Sequence, residues 1–151
     1  MRLLGEAFPL LVQVGPMQFT EESVREMAAL YEPYFARGER YATVSLQPRN
    51  AKTPGAKERK LIVDWVTSAR VAEATKRLCV ASATVLPNPI ARGVFTAMLW
   101  VWSPAVPVRP VATIEEGLDH CFDGITRAEL KLPKPEAVLR QEILHALRGV
   151  I

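Results

Sequence analysis

Residues 78–121 decide the fold: LCVASATVLPNPIARGVFTAMLWVWSPAVPVRPVATIEEGLDHC. It predicts a strand at residues 80–86, a proline-bracketed turn at 87–89, an apolar helix at 90–102, a strand at 106–111 and a helix opened by Thr113. The two strands are short and largely apolar, and the segment between them is long enough for a crossover helix. This pattern predicts a parallel sheet with helices packed on it.

The rest of the chain continues the alternation of strands and helices. Thr20 is a good N-cap for a helix that Pro33 should kink or shorten and that Gly38 should stop. The other predicted elements are an antiparallel strand at 3–7, strands at 9–14 and 41–46, one long helix at 57–78, a helix at 114–122 ended by Asp123-Gly124, and a final helix at 136–148. We therefore expect an α/β domain at residues 1–125 with a mostly parallel sheet of four to five strands, followed by a linker and an amphipathic helix at 126–151.

Length and composition exclude several classes of protein. The 151 residues are 49% hydrophobic and 23% charged, which is ordinary for a globular domain, and the net charge of +3 is small for a nucleic-acid binder. The longest apolar run, residues 94–102, is about half of a membrane span. The N-terminus lacks the apolar run of a signal peptide. These features predict a cytoplasmic protein with no membrane span and no nucleic-acid partner.

The cysteines do not indicate a catalytic or metal site. Cys79 and Cys121 belong to no C-x-x-C pair and no His cluster accompanies them, so we expect no metal and no cofactor. Asp119, His120 and Cys121 are adjacent, but neighbouring residues of a helix point about 100° apart and cannot converge on a substrate. The sequence predicts a protein that is not an enzyme.

Between residues 9 and 122 the chain resembles the STAS-like, or SpoIIAA-like, domains of bacterial anti-sigma-factor antagonists. The resemblance lies in the element order and in the segments 40–44 (RYATV), 80–86, 90–93 (IARG) and 108–118 (VRPVATIEEGL), together with Trp65 in the second helix. It implies a non-catalytic, regulatory module that binds a partner protein. It also implies a phosphorylation switch near the start of the second helix. Thr53 is the hydroxyl there, and it is either a phosphosite or a plain helix N-cap before Pro54.

The apolar helix at 90–102 and the tail supply the candidate contact surface. Val94, Phe95, Met98, Leu99 and Trp102 can form the stripe that covers the sheet, which leaves Thr96, Ala97, Trp100 and Val101 directed elsewhere. Either a partner or the C-terminal helix of the same chain would cover Trp100. The predicted partner-binding residues are Ala97, Trp100, Val101, Trp102 and, from the tail, Leu139, Ile143 and Leu147. The partner is another protein or a second copy.

A basic loop precedes the long helix. Its side chains Arg49, Lys52, Lys57 and Arg59 could bind an anion at the helix N-terminus, or they could simply be solvated. The first interpretation supports an alternative function, the binding of a small molecule or lipid between the apolar helix and the sheet, with its anionic group in the loop at 49–60.

Overall fold

The computed structural model describes residues 1–52, 54–102 and 104–150, with the backbone but not the side chains of Val101 and Trp102. The strands are β1 (Arg2–Leu4), β2 (Leu10–Val14), β3 (Tyr41–Leu46), β4 (Cys79–Val85) and β5 (Val108–Val111). The helices are α1 (Glu21–Arg37), α2 (Ala56–Thr67), α3 (Ala69–Leu78), α4 (Pro89–Trp102), α5 (Ile114–Arg127) and α6 (Glu136–Ala146).

The five strands form one sheet in the order β1-β2-β3-β4-β5. Strand β1 pairs antiparallel with β2, and every later pair is parallel. The predicted α/β class, with a mostly parallel sheet of up to five strands, is confirmed. Because neighbouring parallel strands follow one another along the chain, right-handed crossovers place their connecting helices on one face of the sheet.

Helix α1 begins and ends where the sequence indicates. The Thr20 hydroxyl accepts from the Ser23 amide and the Ser23 hydroxyl accepts from the Thr20 amide, which forms a capping box. Gly38 closes the helix in the left-handed conformation, at φ 67°. Pro33 lies within α1, and the helix continues past it to Arg37 rather than ending early.

Apolar side chains cover both faces of the sheet. On the first face, α5 and α6 pack over a cluster that includes Val12, Val44 and Ala83. On the second face, α1 supplies Val24, Met27 and Tyr31 to a cluster that Leu61 and Trp65 of α2 also contact. The core is therefore a three-layer arrangement of helices, sheet and helices.

Two predicted helix boundaries are wrong. The single helix expected at 57–78 is broken at Ser68. The backbone of Ser68 is not helical (ψ 139°), and its hydroxyl donates to the Trp65 carbonyl at 2.7 Å. The helix expected to stop at Asp123-Gly124 continues to Arg127. Gly124 lies inside it, where the missing side chain permits close packing against the sheet.

The C-terminal helix docks on its own chain. Leu139, Ile143 and Leu147 are all buried in the cluster on the first face of the sheet. Beyond the helix, the Val150 carbonyl accepts from the Arg49 amide at 2.9 Å, which joins the tail to the loop after β3. The tail is thus part of the core.

Candidate interaction surface on helix α4

Helix α4 carries large apolar side chains that the described part of the chain leaves uncovered. Trp100 is 84% exposed, Ile90 76% and Val94 58%. The prediction that Val94 belongs to a stripe buried on the sheet is therefore wrong. Phe95, Met98 and Leu99 are only half-buried, and none of the described α4 side chains belongs to either core cluster.

The large exposed apolar side chains lie on one side of the helix. Ile90, Val94 and Ala97 follow at i, i+4 and i+7, and Trp100 comes three residues after Ala97. We call these four residues the outward stripe. A Cβ at Gly93, between them, would meet no atom within 4 Å from the described residues outside the adjoining helix backbone, so this side is open. The outward stripe is a continuous apolar surface about ten residues long.

The outward stripe also lacks charge. Arg92 is the single charged residue in α4. Its guanidinium donates to the carbonyls of Leu86 and Pro87, at 2.7 and 3.0 Å, on the side of the loop that precedes the helix. The Asn88 side chain caps the helix by accepting from the Ile90 amide at 2.8 Å. The chain therefore fixes the start of α4 and leaves its outer side free.

Among the described residues, the main contact of α4 with the sheet is at its edge. Helix α4 packs against β5, the edge strand. Right-handed crossovers place α4 on the second face of the sheet, the face that α1 and α2 also cover. A helix that is apolar all round normally lies deep in a protein. Here it lies at the surface, which is the unusual feature of the molecule.

A row of polar side chains crosses the second face of the sheet, and the sequence analysis missed it. Gln13, Ser45 and Thr84 are in register on β2, β3 and β4. All three are partly exposed, although their neighbours along each strand are buried on the first face. The Ser45 and Thr84 hydroxyls are 3.0 Å apart. Parallel strands usually carry apolar residues on both faces.

Tyr31 of α1 joins this polar row to the helical layer. Its hydroxyl donates to Gln13 Oε1 at 2.8 Å, and the Thr43 hydroxyl lies 3.0 Å away. Burial raises the pKa of Tyr31 far above its ordinary value, so the phenol remains a neutral hydrogen-bond donor. Gln47 follows the last residue of β3, two positions after Ser45. Its Oε1 is buried and has no hydrogen-bond partner among the described residues.

The structure separates the predicted partner-binding residues into two groups. Ala97 and Trp100 are exposed on α4, as a contact surface requires. Three side chains of the C-terminal helix and its cap are buried against the first face of the sheet: Leu139, Ile143 and Leu147. They are part of the core of this chain, so their assignment to a contact surface is wrong. The side chains of Val101 and Trp102 are not among the parts of the chain that the structure describes. The alternative that the C-terminal helix covers Trp100 is also wrong.

The basic loop is exposed. Arg49, Lys52, Lys57 and Arg59 all face solvent, and the Arg59 guanidinium donates to the Pro54 carbonyl at 2.8 Å. Helix α2 begins at Ala56 after Gly55, and among the described residues no side chain caps it. Thr53, the predicted phosphosite or N-cap, lies outside the described residues.

The structure places each of the adjacent residues Asp119, His120 and Cys121 in a different environment. Asp119 forms an ion pair with Arg140 at 2.7 Å, whereas the Cys121 thiol is buried and donates to the Thr43 carbonyl at 3.3 Å. Burial raises the pKa of Cys121 to about 12, and burial with nearby Arg109 lowers the pKa of His120. A thiol held neutral in the core is a poor nucleophile.

Among the described residues, no group of three His, Cys, Asp or Glu side chains could hold a metal ion, and no helix has the length and apolarity needed to cross a bilayer.

Comparisons with protein-family models, curated proteins and solved structures found no match to this chain. The resemblance to STAS-like domains therefore stays a prediction.

Proposed function

We propose that this chain is a non-catalytic, regulatory interaction module of the STAS-like type, and that it works through protein–protein contact made by the outward stripe of α4. The observation that carries the proposal is the 84% exposure of Trp100 on a helix face that also exposes Ile90 and Val94. Contiguous apolar patches of this kind are rare on isolated monomers and mark sites of interaction.

The composition of the stripe suits a binding hot spot. Tryptophan is enriched among the residues that dominate binding energy, and it buries on the order of 200 Å² when covered. Ile90 and Val94 would surround it with apolar contacts that exclude water. The lack of charge along the stripe removes the desolvation cost that a buried, unmatched charge would impose.

The test compares baits that differ only at the stripe. The intact chain, the Trp100→Ser variant and the Met17→Ser variant are immobilised and incubated with an extract of the source cells. Met17 is the matched control because it is a large apolar side chain, 56% exposed, that lies outside α4. We expect at least one protein to be retained by the intact chain and by Met17→Ser and to be lost with Trp100→Ser.

Purification of that protein makes the test quantitative. Loss of a hot-spot side chain costs about 2 kcal/mol or more, so Trp100→Ser should weaken the measured affinity by about 30-fold or more. Circular dichroism should show that the variant remains folded, since an exposed side chain contributes little to stability. Identical retention by all three baits, or equal affinities, would contradict the proposal.

Small-molecule binding is a second candidate function, and the polar row favours it. Gln13, Ser45 and Thr84 present uncharged hydrogen-bonding groups on a sheet face near the carboxyl ends of parallel strands, where α/β proteins bind ligands. A thermal-shift screen against uncharged hydroxyl- or amide-bearing compounds tests it. A stabilisation by the ligand that disappears in Ser45→Ala, but persists in Trp100→Ser, would support this function.

A further inference from the structure

We propose that the outward stripe of α4 binds the same stripe on a second copy of this chain, so that two α4 helices pack antiparallel about a two-fold axis. The inference rests on the proposed function because it names the partner for the same surface. A two-fold contact requires a patch that is complementary to itself. Two observations support such a patch on α4, and a third disfavours the other route to self-association.

The first observation concerns charge. The chain has a net charge of +3, so two copies repel each other weakly overall. The outward stripe is free of charge, and the single charged residue of the helix, Arg92, is engaged with the Leu86 and Pro87 carbonyls. Packing α4 on α4 therefore brings no like charges together at the centre of the contact.

The second observation concerns the sizes of the residues. If the two-fold axis passes at the level of Phe95, Ile90 of each copy lies opposite Trp100 of the other, and Gly93 lies opposite Ala97. The two small residues are then at the centre, where they let the helix axes approach closely, and the two large residues pack at both ends. The open space beside Gly93 admits a neighbouring helix.

The third observation concerns the other route to self-association, pairing at a sheet edge. Strand β5 is the edge strand next to α4, but it is only four residues long and contains Pro110, which has no N–H to donate. Short edges that contain proline resist pairing with another chain. Contact between copies on this side of the molecule is therefore expected through the helix.

The dimer should be weak and concentration-dependent, because two single helices bury less than the roughly 800 Å² per partner of a standard interface. In sedimentation equilibrium on the purified chain, we expect the mass to rise from 16.8 kDa toward twice that value as the concentration increases from micromolar to millimolar. Val94→Asp should remain monomeric, while Met17→Asp should associate like the unmodified chain.

Two mixtures test the geometry. Val94→Asp and Val94→Lys should each be monomeric, and their mixture should recover the dimer because opposite charges meet near the axis. Under oxidising conditions, a mixture of Gly93→Cys and Ala97→Cys should form more disulfide-linked dimer than either variant alone. The native thiols are buried and should not interfere.

A monomeric unmodified chain at every concentration would overturn the inference, as would a dimer that Val94→Asp leaves intact. Preferential cross-linking of Ala97→Cys to itself would overturn the register in which Gly93 of one copy lies opposite Ala97 of the other. None of these results would decide the proposed function, because retention of a different protein that is lost with Trp100→Ser would still support it.

Discussion

Gly124 of α5 packs directly against Ala81 of β4: a Cβ placed on the glycine would lie 2.4 Å from the Ala81 Cβ and 3.5 Å from the Val80 carbonyl oxygen. The absent side chain lets the helix lie close to the sheet. The same contact brings Cys121 and Ile125 of α5 into the core cluster on the first face. Close helix–sheet packing at this point thus depends on one residue.

Replacing Gly124 with alanine should therefore destabilise the protein, although alanine is the better helix former. Overpacking typically costs about 1–3 kcal/mol, which exceeds the gain of up to about 1 kcal/mol in helix propensity. The free energy of unfolding, measured by urea denaturation, should fall. The matched control is Gly93→Ala, also in a helix but facing open space, which should be neutral or stabilising at concentrations where the chain is monomeric.

The same glycine shows where prediction from the sequence failed. Asp123-Gly124 has the composition of a helix stop, and only the neighbouring strand shows that the glycine is required inside the helix. Similarly, Ser68 breaks a stretch whose apolar spacing is continuous. By contrast, the bounds of β3 were predicted correctly, because residues that favour strands are concentrated at 41–46 and this preference is local information.

The candidate site was predicted only in part, for a related reason. Apolar residues occur all round α4, so periodicity could not tell which side faces the sheet, and Val94 was assigned to the wrong side. The polar row could not be predicted because Gln13, Ser45 and Thr84 are far apart in sequence. They become neighbours only through the register of three strands.

Tyr31 should hold the polar row to the helical layer. Tyr31→Phe removes a hydroxyl that donates to Gln13 and lies within hydrogen-bond distance of Thr43. Leaving these groups without partners should lower the free energy of unfolding by about 1–3 kcal/mol. Tyr34→Phe is the matched control, since the Tyr34 hydroxyl makes no hydrogen bond within the described part of the chain. Equal stability of the two variants would contradict the prediction.

Stability should decrease at high pH because of the buried thiols. Burial raises the pKa of Cys121 from 9.0 to about 12, and it raises the pKa of Cys79 to about 12 as well. Between pH 9 and 12 the unfolded chain loses these protons and the folded chain keeps them. Each thiol then lowers stability by up to about 1.4 kcal/mol per pH unit.

Urea denaturation at several pH values measures this slope. Cys121→Ala should make the loss of stability with rising pH shallower, whatever its effect on stability at neutral pH. Ala69→Cys, which adds a thiol at an exposed position, should leave the slope unchanged. A slope that is the same in Cys121→Ala and in the unmodified chain would show that this thiol is not held neutral by burial.

The final prediction distinguishes a tail that belongs to the core from one that waits for a partner. Leu139 is 1% exposed among the side chains of α5 and the sheet, whereas the adjacent Val138 is 40% exposed on the outer side of α6. Leu139→Ala should lower the free energy of unfolding of the isolated chain by about 2–5 kcal/mol, because it removes buried methyl groups and leaves a cavity. Val138→Ala should change it by no more than about 0.5 kcal/mol. If the tail docked mainly on another molecule, both substitutions would leave the isolated chain equally stable, and the loss would be seen only in binding. A large loss of stability for Leu139→Ala alone would show that the tail belongs to the core of the isolated chain. The proposed contact would then involve the outward stripe of α4 and not the buried side of the tail.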